Sequence, residues 1–286
     1  MLFSSIYERY IPSQDLPAGD IAHSVVFAAD ADKLLVKKGA AEDEVVFPDL
    51  NDFGSDLLEN EDVEYLGAID GFHCFFLPWE PSASIPDGMV FQSLRTMYDR
   101  IGENMGLVAS RAVHLAGWSR QNRYCGVCGG PTLKDNAERA RRCPSCGNVI
   151  YPRISPAIII AVVKEDKLLL AHNKGFRERW FSTIAGFMEP GESIEACAKR
   201  EVYEETGIKI KNIRYFASQP WPFPDSLMIG LTAEYESGEV TTDGVEIDEA
   251  DFFSVAGLPE RPGSHSIAGR LIQWFIDGQK DPGEGN

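Results

Sequence analysis

No long hydrophobic run occurs anywhere in the 286 residues of this chain. Its longest strongly apolar stretch, Ala157 to Val163, is far shorter than the roughly 20 residues a helix needs to cross a bilayer. The opening MLFSSIYERYIPSQ lacks the uninterrupted apolar segment of a secretory signal. Cysteine is sparse, with six in all, and four of them fall in two close pairs. Cys74 and Cys197 stand alone, which excludes the disulfide framework of a small secreted protein. Basic residues are outnumbered, 27 against 44 acidic, for a net charge of −17. Unspecific binding to nucleic acid or to an anionic membrane through bulk charge is thereby excluded. Tandem repeats and low-complexity tracts are missing too. The expectation is a soluble cytoplasmic protein with no membrane partner.

What is present suffices for a sizeable core. The chain is 44% hydrophobic, and its length suggests two or more domains. Residues 1–119 read as an acidic N-terminal α/β domain. Its β-like stretches are Ser24 to Ala28, Lys33 to Val36 and Phe72 to Leu77, and one or two helices follow between Gly88 and Ala116. Residues 120–150 carry the paired cysteines, and 151–286 form a third unit. In that unit AIIIAVV, Lys164-Glu165-Asp166 and KLLLA read as a β-hairpin, Ile229 to Tyr235 as a strand and Ser266 to Ile276 as a closing helix.

The segment from Gly186 to Ile208, GFMEPGESIEACAKREVYEETGI, fits G-x5-E-x7-R-E-U-x-E-E-x-G-U, where U is aliphatic. If Glu192 to Thr206 is helical, Glu201, Glu204 and Glu205 share one face. Like charges so close destabilise a helix unless divalent cations sit between them, as Mg²⁺ does among carboxylates and phosphate oxygens. A merely solvated acidic face leaves Gly186 and Gly207 unexplained, whereas a sharp start and a helix end account for both. Ile194, Ala198 and Val202 supply a buried side, and the guanidinium of Arg200 is placed to orient the glutamates, with Glu192 as its partner.

Cys125-x2-Cys128 and Cys143-x2-Cys146, in the knuckles CGVCGG and CPSCG, match a tetrahedral four-thiolate Zn²⁺ site. Four cysteines close the shell, so one structural Zn²⁺ per chain is expected; redox chemistry and a contact with nucleic acid stay open as further roles. Downstream of the acidic segment, Ser218 to Met228 reads SQPWPFPDSLM. Alternate prolines stiffen it into an extended form with Trp221 and Phe223 as rigid aromatics between them, a substrate array or a cap on the core. Local positive charge can come from Arg139, Arg141, Arg142, Arg177 and Arg179.

The Gly186 to Ile208 pattern resembles the Nudix box of the Nudix hydrolases. S-Q-P-W-P-F-P-x-S after it, with Asp225 at the variable position, and the zinc ribbon before it resemble the NADH pyrophosphatase branch. The resemblance implies a Nudix α/β/α sandwich preceded by a zinc ribbon and an N-terminal α/β domain. It implies hydrolysis of NADH or NAD to nicotinamide mononucleotide and AMP, removal of NAD caps from the 5′ end of RNA, and a homodimer. Mg²⁺ or Mn²⁺ is implied on Glu201, Glu205, the Ala185 carbonyl and Glu246, with Glu249 a competitor for the last place. Glu204, between two of these ligands, is the expected base or water-orienting group. Substrate contacts are implied for Tyr151, Gln219, Pro220, Trp221, Pro222, Phe223, Pro224, Asp225, Ser226 and Ala268, and, in weaker similarity, for Lys38, Arg95 and Glu138. The alternatives are a Nudix pyrophosphatase for ADP-ribose or dinucleoside polyphosphates, and an inert zinc-ribbon and Nudix module that binds RNA. An inert relative would have lost a box glutamate or Arg200, and this chain retains them all.

Overall fold

Both sides of the segment SVVFAAD are apolar, so as a strand it must be covered on both faces. Val25, Phe27 and Ala29 join one buried cluster, Val26 and Ala28 another. The computed structural model describes residues 9–16, 21, 23–39, 44–80, 82–135, 137–175, 179–242 and 244–279. The chain divides into two compact units, 1–154 together with 221–225, and 155–220 together with 226–286.

In the first unit, β1 (Tyr10–Pro12), β2 (Ser24–Asp30), β3 (Lys33–Lys37), β4 (Glu64–Ile69), β5 (Phe72–Pro78) and β6 (Met89–Ser93) form a sheet in the order β1-β4-β5-β2-β3-β6. β2 and β5 run parallel; the other registered pairs are antiparallel. Helices α1 (Leu94–Ile101) and α2 (Glu103–Gln121) cover the Phe27 face, where Met97, Val108, Ala112 and Leu115 are buried. Short 3-10 turns around Leu50 and Leu57 cover the other face. Each large side chain so buried contributes about 1.5–3 kcal/mol. The unit continues into β7 (Leu133–Lys134), β8 (Arg141–Arg142) and β9 (Val149–Ile150), a small antiparallel sheet that carries the cysteine knuckles.

The second unit is built on β10 (Ser155–Lys164), β11 (Lys167–Asn173), β12 (Phe181–Ser182), β13 (Ile184–Phe187), β14 (Lys209–Trp221), β15 (Ser226–Ser237) and β16 (Ile247–Ser254). Its strand order is β12-β11-β10-β15-β14, with β13 on β10 and β16 on β11. β10 and β11 make the expected hairpin, and β10 runs parallel to β15 from Ser155 opposite Ser226. Helix α3 (Ile194–Thr206) packs Cys197, Ala198 and Val202 into one buried cluster with Ile158, Ile160, Ile229 and Leu231. Gly230 faces the opposite way, and a Cβ there would lie 2.7 Å from Ile267 Cδ1, which places helix α4 (Ile267–Gly278) on the other side of the sheet. The result is the α/β/α sandwich expected from the sequence. Among the described residues no helix is long and apolar enough to cross a membrane.

Candidate active site

Helix α3 holds its acidic face in place because both ends are fixed. Ser193 accepts a hydrogen bond from the Ala196 N–H at 3.2 Å, and Gly207 closes the helix in the left-handed region at φ 70°. A Cβ on Gly207 would meet Thr241 Oγ1 at 2.4 Å. The helix starts at Ile194, so Glu192 lies in the turn before the cap instead of in the first turn. From that turn its carboxylate reaches Arg200.

Arg200 is the centre of the site. Its Nε and Nη2 donate to Glu192 Oε1 and Oε2 at 2.8 and 2.9 Å. Its Nη1 donates to Glu201 Oε1 at 2.8 Å and Glu204 Oε2 at 3.1 Å, and Nη2 also reaches the Phe187 carbonyl at 3.0 Å. One planar guanidinium thus gathers Glu192, Glu201 and Glu204, which an ammonium could not do in this geometry. Hydrogen bonds from Arg200 and the Glu189 N–H hold the Glu192 carboxyl down to about 2. Burial pushes Glu201 above the ordinary carboxylate range despite the pull of Arg200. Glu205 is buried beside them, while the Glu204 side chain is 58% exposed.

Gly186 has a different reason from the sharp start expected of it. It sits in β13, opposite Ile158, and a Cβ there would fall 2.0 Å from Glu201 Cδ. The glycine makes room for that carboxylate against the strand that also carries Ala185. Cys197 is buried behind, its Sγ 3.6 Å from the Phe187 carbonyl, and packs as a small apolar group.

Two acids compete for the outlying position. Glu249 is engaged by Arg179 Nη2, 2.7 Å from both its oxygens, whereas Glu246 Oε1 accepts from the neutral amide of Asn173, whose Nδ2 stands at 2.9 Å. Between them, Asp248 Oδ1 lies 2.6 Å from His172 Nδ1, and that contact holds the Asp248 carboxyl below its usual range. His172 and Asn173 carried no signal in the sequence beyond their residue types, and Arg179, named there as local positive charge, is paired with Glu249, since each partner lies 70 or more positions away.

The aromatic array is less extended than its prolines suggest. Ser218 to Trp221 end β14, residues 222–225 form a turn with a cis Phe223–Pro224 peptide, and Ser226 begins β15. Proline fixes φ of its own residue and leaves ψ free, so the alternation did not exclude a turn. Within the first unit, Trp221 and Phe223 meet edge to face at 5.3 Å, Arg95 lies 4.1 Å above the Phe223 ring, and Phe223 packs on the helix-covered core. Asp225 is buried and bound by Arg153, whose Nε and Nη2 stand 2.7 and 2.6 Å from Oδ2. In the second unit, Gln219 is fully buried: its Oε1 accepts from the Ile267 N–H at 2.8 Å and its Nε2 donates to the His265 carbonyl at 2.9 Å. It thereby ties β14 to the start of α4, where Ala268 is buried.

Tyr151 donates to Glu138 Oε2 at 2.7 Å, so these two predicted residues are brought together. Lys38 is exposed, and its backbone N–H donates to the Gly88 carbonyl. The arginines proposed as local positive charge are spent inside the unit: Arg139 pairs with Glu64 and Arg142 with Asp135, and Arg141 donates to Thr132 and Ser119. Arg177 lies outside the described residues.

The ligand atoms of Cys125, Cys128, Cys143 and Cys146 all lie within 4.8 Å of one another, with Sγ pairs at 3.6 and 3.4 Å. Thiolates about 2.3 Å from a tetrahedral Zn²⁺ stand about 3.8 Å apart, so the cluster fits that ion. Backbone N–H groups of Cys128 and Val127 pull Cys125 down to about 6, and that of Cys146 lowers Cys143. At Cys146 the Asn148 N–H also pulls down, but the neighbouring Cys128, Cys125 and Cys143 sulfurs push it up to about 12.

Against known proteins, the family model described as NUDIX domain matches residues 153–275. Those described as NADH pyrophosphatase zinc ribbon domain and NADH pyrophosphatase-like rudimentary NUDIX domain match 116–151 and 23–118. The chain is 41% identical to the NAD-capped RNA hydrolase NudC of Stutzerimonas stutzeri, over 74% of this chain and 76% of that one. It is 40% identical to the protein of the same name from Pseudomonas putida, over 78% of this chain and 83% of the relative.

Proposed function

Since this chain belongs to the NAD-capped RNA hydrolase branch of the Nudix hydrolases, we propose that it hydrolyses the pyrophosphate of NADH or NAD to nicotinamide mononucleotide and AMP, and the same linkage in the NAD cap of RNA. The observation that carries this reading is the intact acid set gathered by Arg200, which the inert alternative would not need.

A pyrophosphate resists hydrolysis because its anionic oxygens repel the attacking water, so charge must be neutralised and water activated. The Ala185 carbonyl, Glu201, Glu205 and Glu246 would hold Mg²⁺ or Mn²⁺ through oxygen alone, as those ions prefer, although among the described residues these carboxylates do not lie as close together as the cysteine sulfurs. A divalent cation held there would neutralise the pyrophosphate's charge and make a nearby water more acidic. Burial raises the pKa of Glu201, and Arg200 opposes that rise and fixes where its oxygens lie. Glu204 is the base: its Oε2 is anchored by Arg200, and Oε1 has no protein hydrogen bond among the described residues. Trp221 and Phe223 offer faces on which a flat ring stacks, with Tyr151 as a further aromatic.

Zn²⁺ on the four thiolates holds the ribbon together, and the working assembly is a homodimer, which light scattering in solution checks. The substrate is tested by incubation with NADH, ADP-ribose, a dinucleoside polyphosphate and NAD-capped RNA separately, with Mg²⁺ or Mn²⁺. Preference for NADH or the capped RNA is expected; efficient cleavage of ADP-ribose alone overturns the reading.

A further inference from the structure

Asp225 occupies the position of the aromatic signature that varies, and its environment is unlike that of a residue that reads substrate. Its side chain is 11% exposed, and two N–H groups of Arg153 converge on Oδ2 at 2.7 and 2.6 Å. A buried carboxylate facing a dianionic pyrophosphate would repel it, and this one is already neutralised. Arg153 is itself seated: its carbonyl accepts from His114 Nε2 of α2 at 2.7 Å. His114, Arg153 and Asp225 line a cavity of about 340 Å³ with Tyr151 and Pro224. Two residues before Asp225, the Phe223 ring lies under Arg95 of α1.

From this arrangement we infer that the Arg153–Asp225 pair is a positioning device: it presents Trp221 and Phe223 to the nicotinamide dinucleotide and makes no substrate contact of its own. The N-terminal helices thereby acquire a task in the reaction, because α1 holds the array through Arg95 and α2 holds it through His114 and Arg153. Arg153 immediately follows Tyr151-Pro152 and precedes β10 by two residues, while Asp225 directly precedes β15. The pair therefore fixes the turn at the point where the chain leaves it. The inference rests on the reading of the site as a nicotinamide dinucleotide pyrophosphatase.

The test is a double-mutant cycle of Arg153→Gln, Asp225→Asn and the two combined, measured with NADH and the full-length protein. In parallel, the ¹⁹F resonance of Trp221 is followed in 5-fluorotryptophan-labelled protein, assigned by its loss in Trp221→Phe. Each single change is expected to raise KM about tenfold with kcat within about twofold, and the double variant to match the singles, because one interaction is lost in all three. The Trp221 resonance moves in each variant, the other tryptophans stay in place, and Arg153→Lys recovers most of the loss. A double variant about a hundredfold worse would show that the residues act separately and overturn the inference. So would a fall in kcat at unchanged KM, or a Trp221 resonance that stays put. If wild-type protein fails to cleave NADH, the functional reading falls, and the ¹⁹F measurement still decides whether the pair positions the array.

Discussion

Replacing Gly186 by alanine separates folding from chemistry at this site. The added Cβ would lie 2.0 Å from Glu201 Cδ and 2.2 and 2.3 Å from its two oxygens. Carbon atoms approach to about 3.5 Å, so the carboxylate must retreat by about 1.5 Å. The backbone raises no objection, because Gly186 is not among the residues with positive φ and its place in the β10–β13 ladder suits any residue. The displaced atoms are the end of a flexible side chain, so the stability cost is small, about 1 kcal/mol or a few degrees in Tm. The chemical cost is larger, since a displacement of about 1 Å in a catalytic group lowers rates about a hundredfold, equivalent to about 2.7 kcal/mol. Glu201 also shares Arg200 with Glu192 and Glu204, so its retreat disturbs the whole set. The assays are a thermal melt and kcat/KM for NADH at saturating Mn²⁺. A folded Gly186→Ala variant within about threefold of wild type refutes the claim that this carboxylate must stand where it does.

Arg200→Gln removes the group that pulls Glu201 down while burial continues to push it up, so protons compete with metal at higher pH. The pH midpoint for Mn²⁺ binding, measured by calorimetric titration, should move upward; a midpoint that falls contradicts the assignment. Glu192 works in the opposite sense: its lowered pKa stabilises the fold above the usual carboxylate range, and that contribution is lost as pH falls toward about 2. Glu204→Gln should lower kcat by about 10²- to 10⁴-fold with an unchanged melt, and full activity would place the base elsewhere. In the ribbon, a thiolate that lets go of Zn²⁺ takes up a proton, so release of the ion to a chromogenic chelator should accelerate as pH falls. Removal of the ion should lower the melting temperature, and an unaltered melt would argue against a structural role.

The box helix was readable because its rules are local: spacing put the glutamates on one face, Gly207 marked the end, and Arg200 lay within one or two turns of its partners, while the Ser193 cap that starts it at Ile194 went unread. The hairpin of β10 and β11 and the closing helix followed from periodicity in the same way. What periodicity could not reach were contacts between distant segments. Asn173 meets Glu246 and Arg179 meets Glu249 from 70 or more positions away, and Arg153 meets Asp225 across 72. β4 went unread beside acidic sequence, and Met89–Ser93, expected to open the helical span from Gly88, is strand β6 instead, since strand pairing supplied what local pattern lacked. Gly186 was expected to make a turn, and its actual reason, a carboxylate packed against the backbone, is visible only with Glu201 in place.

The central claim is metal-dependent cleavage of a nicotinamide dinucleotide at its pyrophosphate by the glutamates that Arg200 gathers. The most direct measurement is mass identification of the products from NADH with Mg²⁺ or Mn²⁺, using wild-type protein and Glu201→Gln side by side. The account predicts equal amounts of AMP and reduced nicotinamide mononucleotide from the wild type, and almost none from the variant or without metal. Intact NADH in the wild-type reaction, or the same products at undiminished rate from Glu201→Gln, would contradict it.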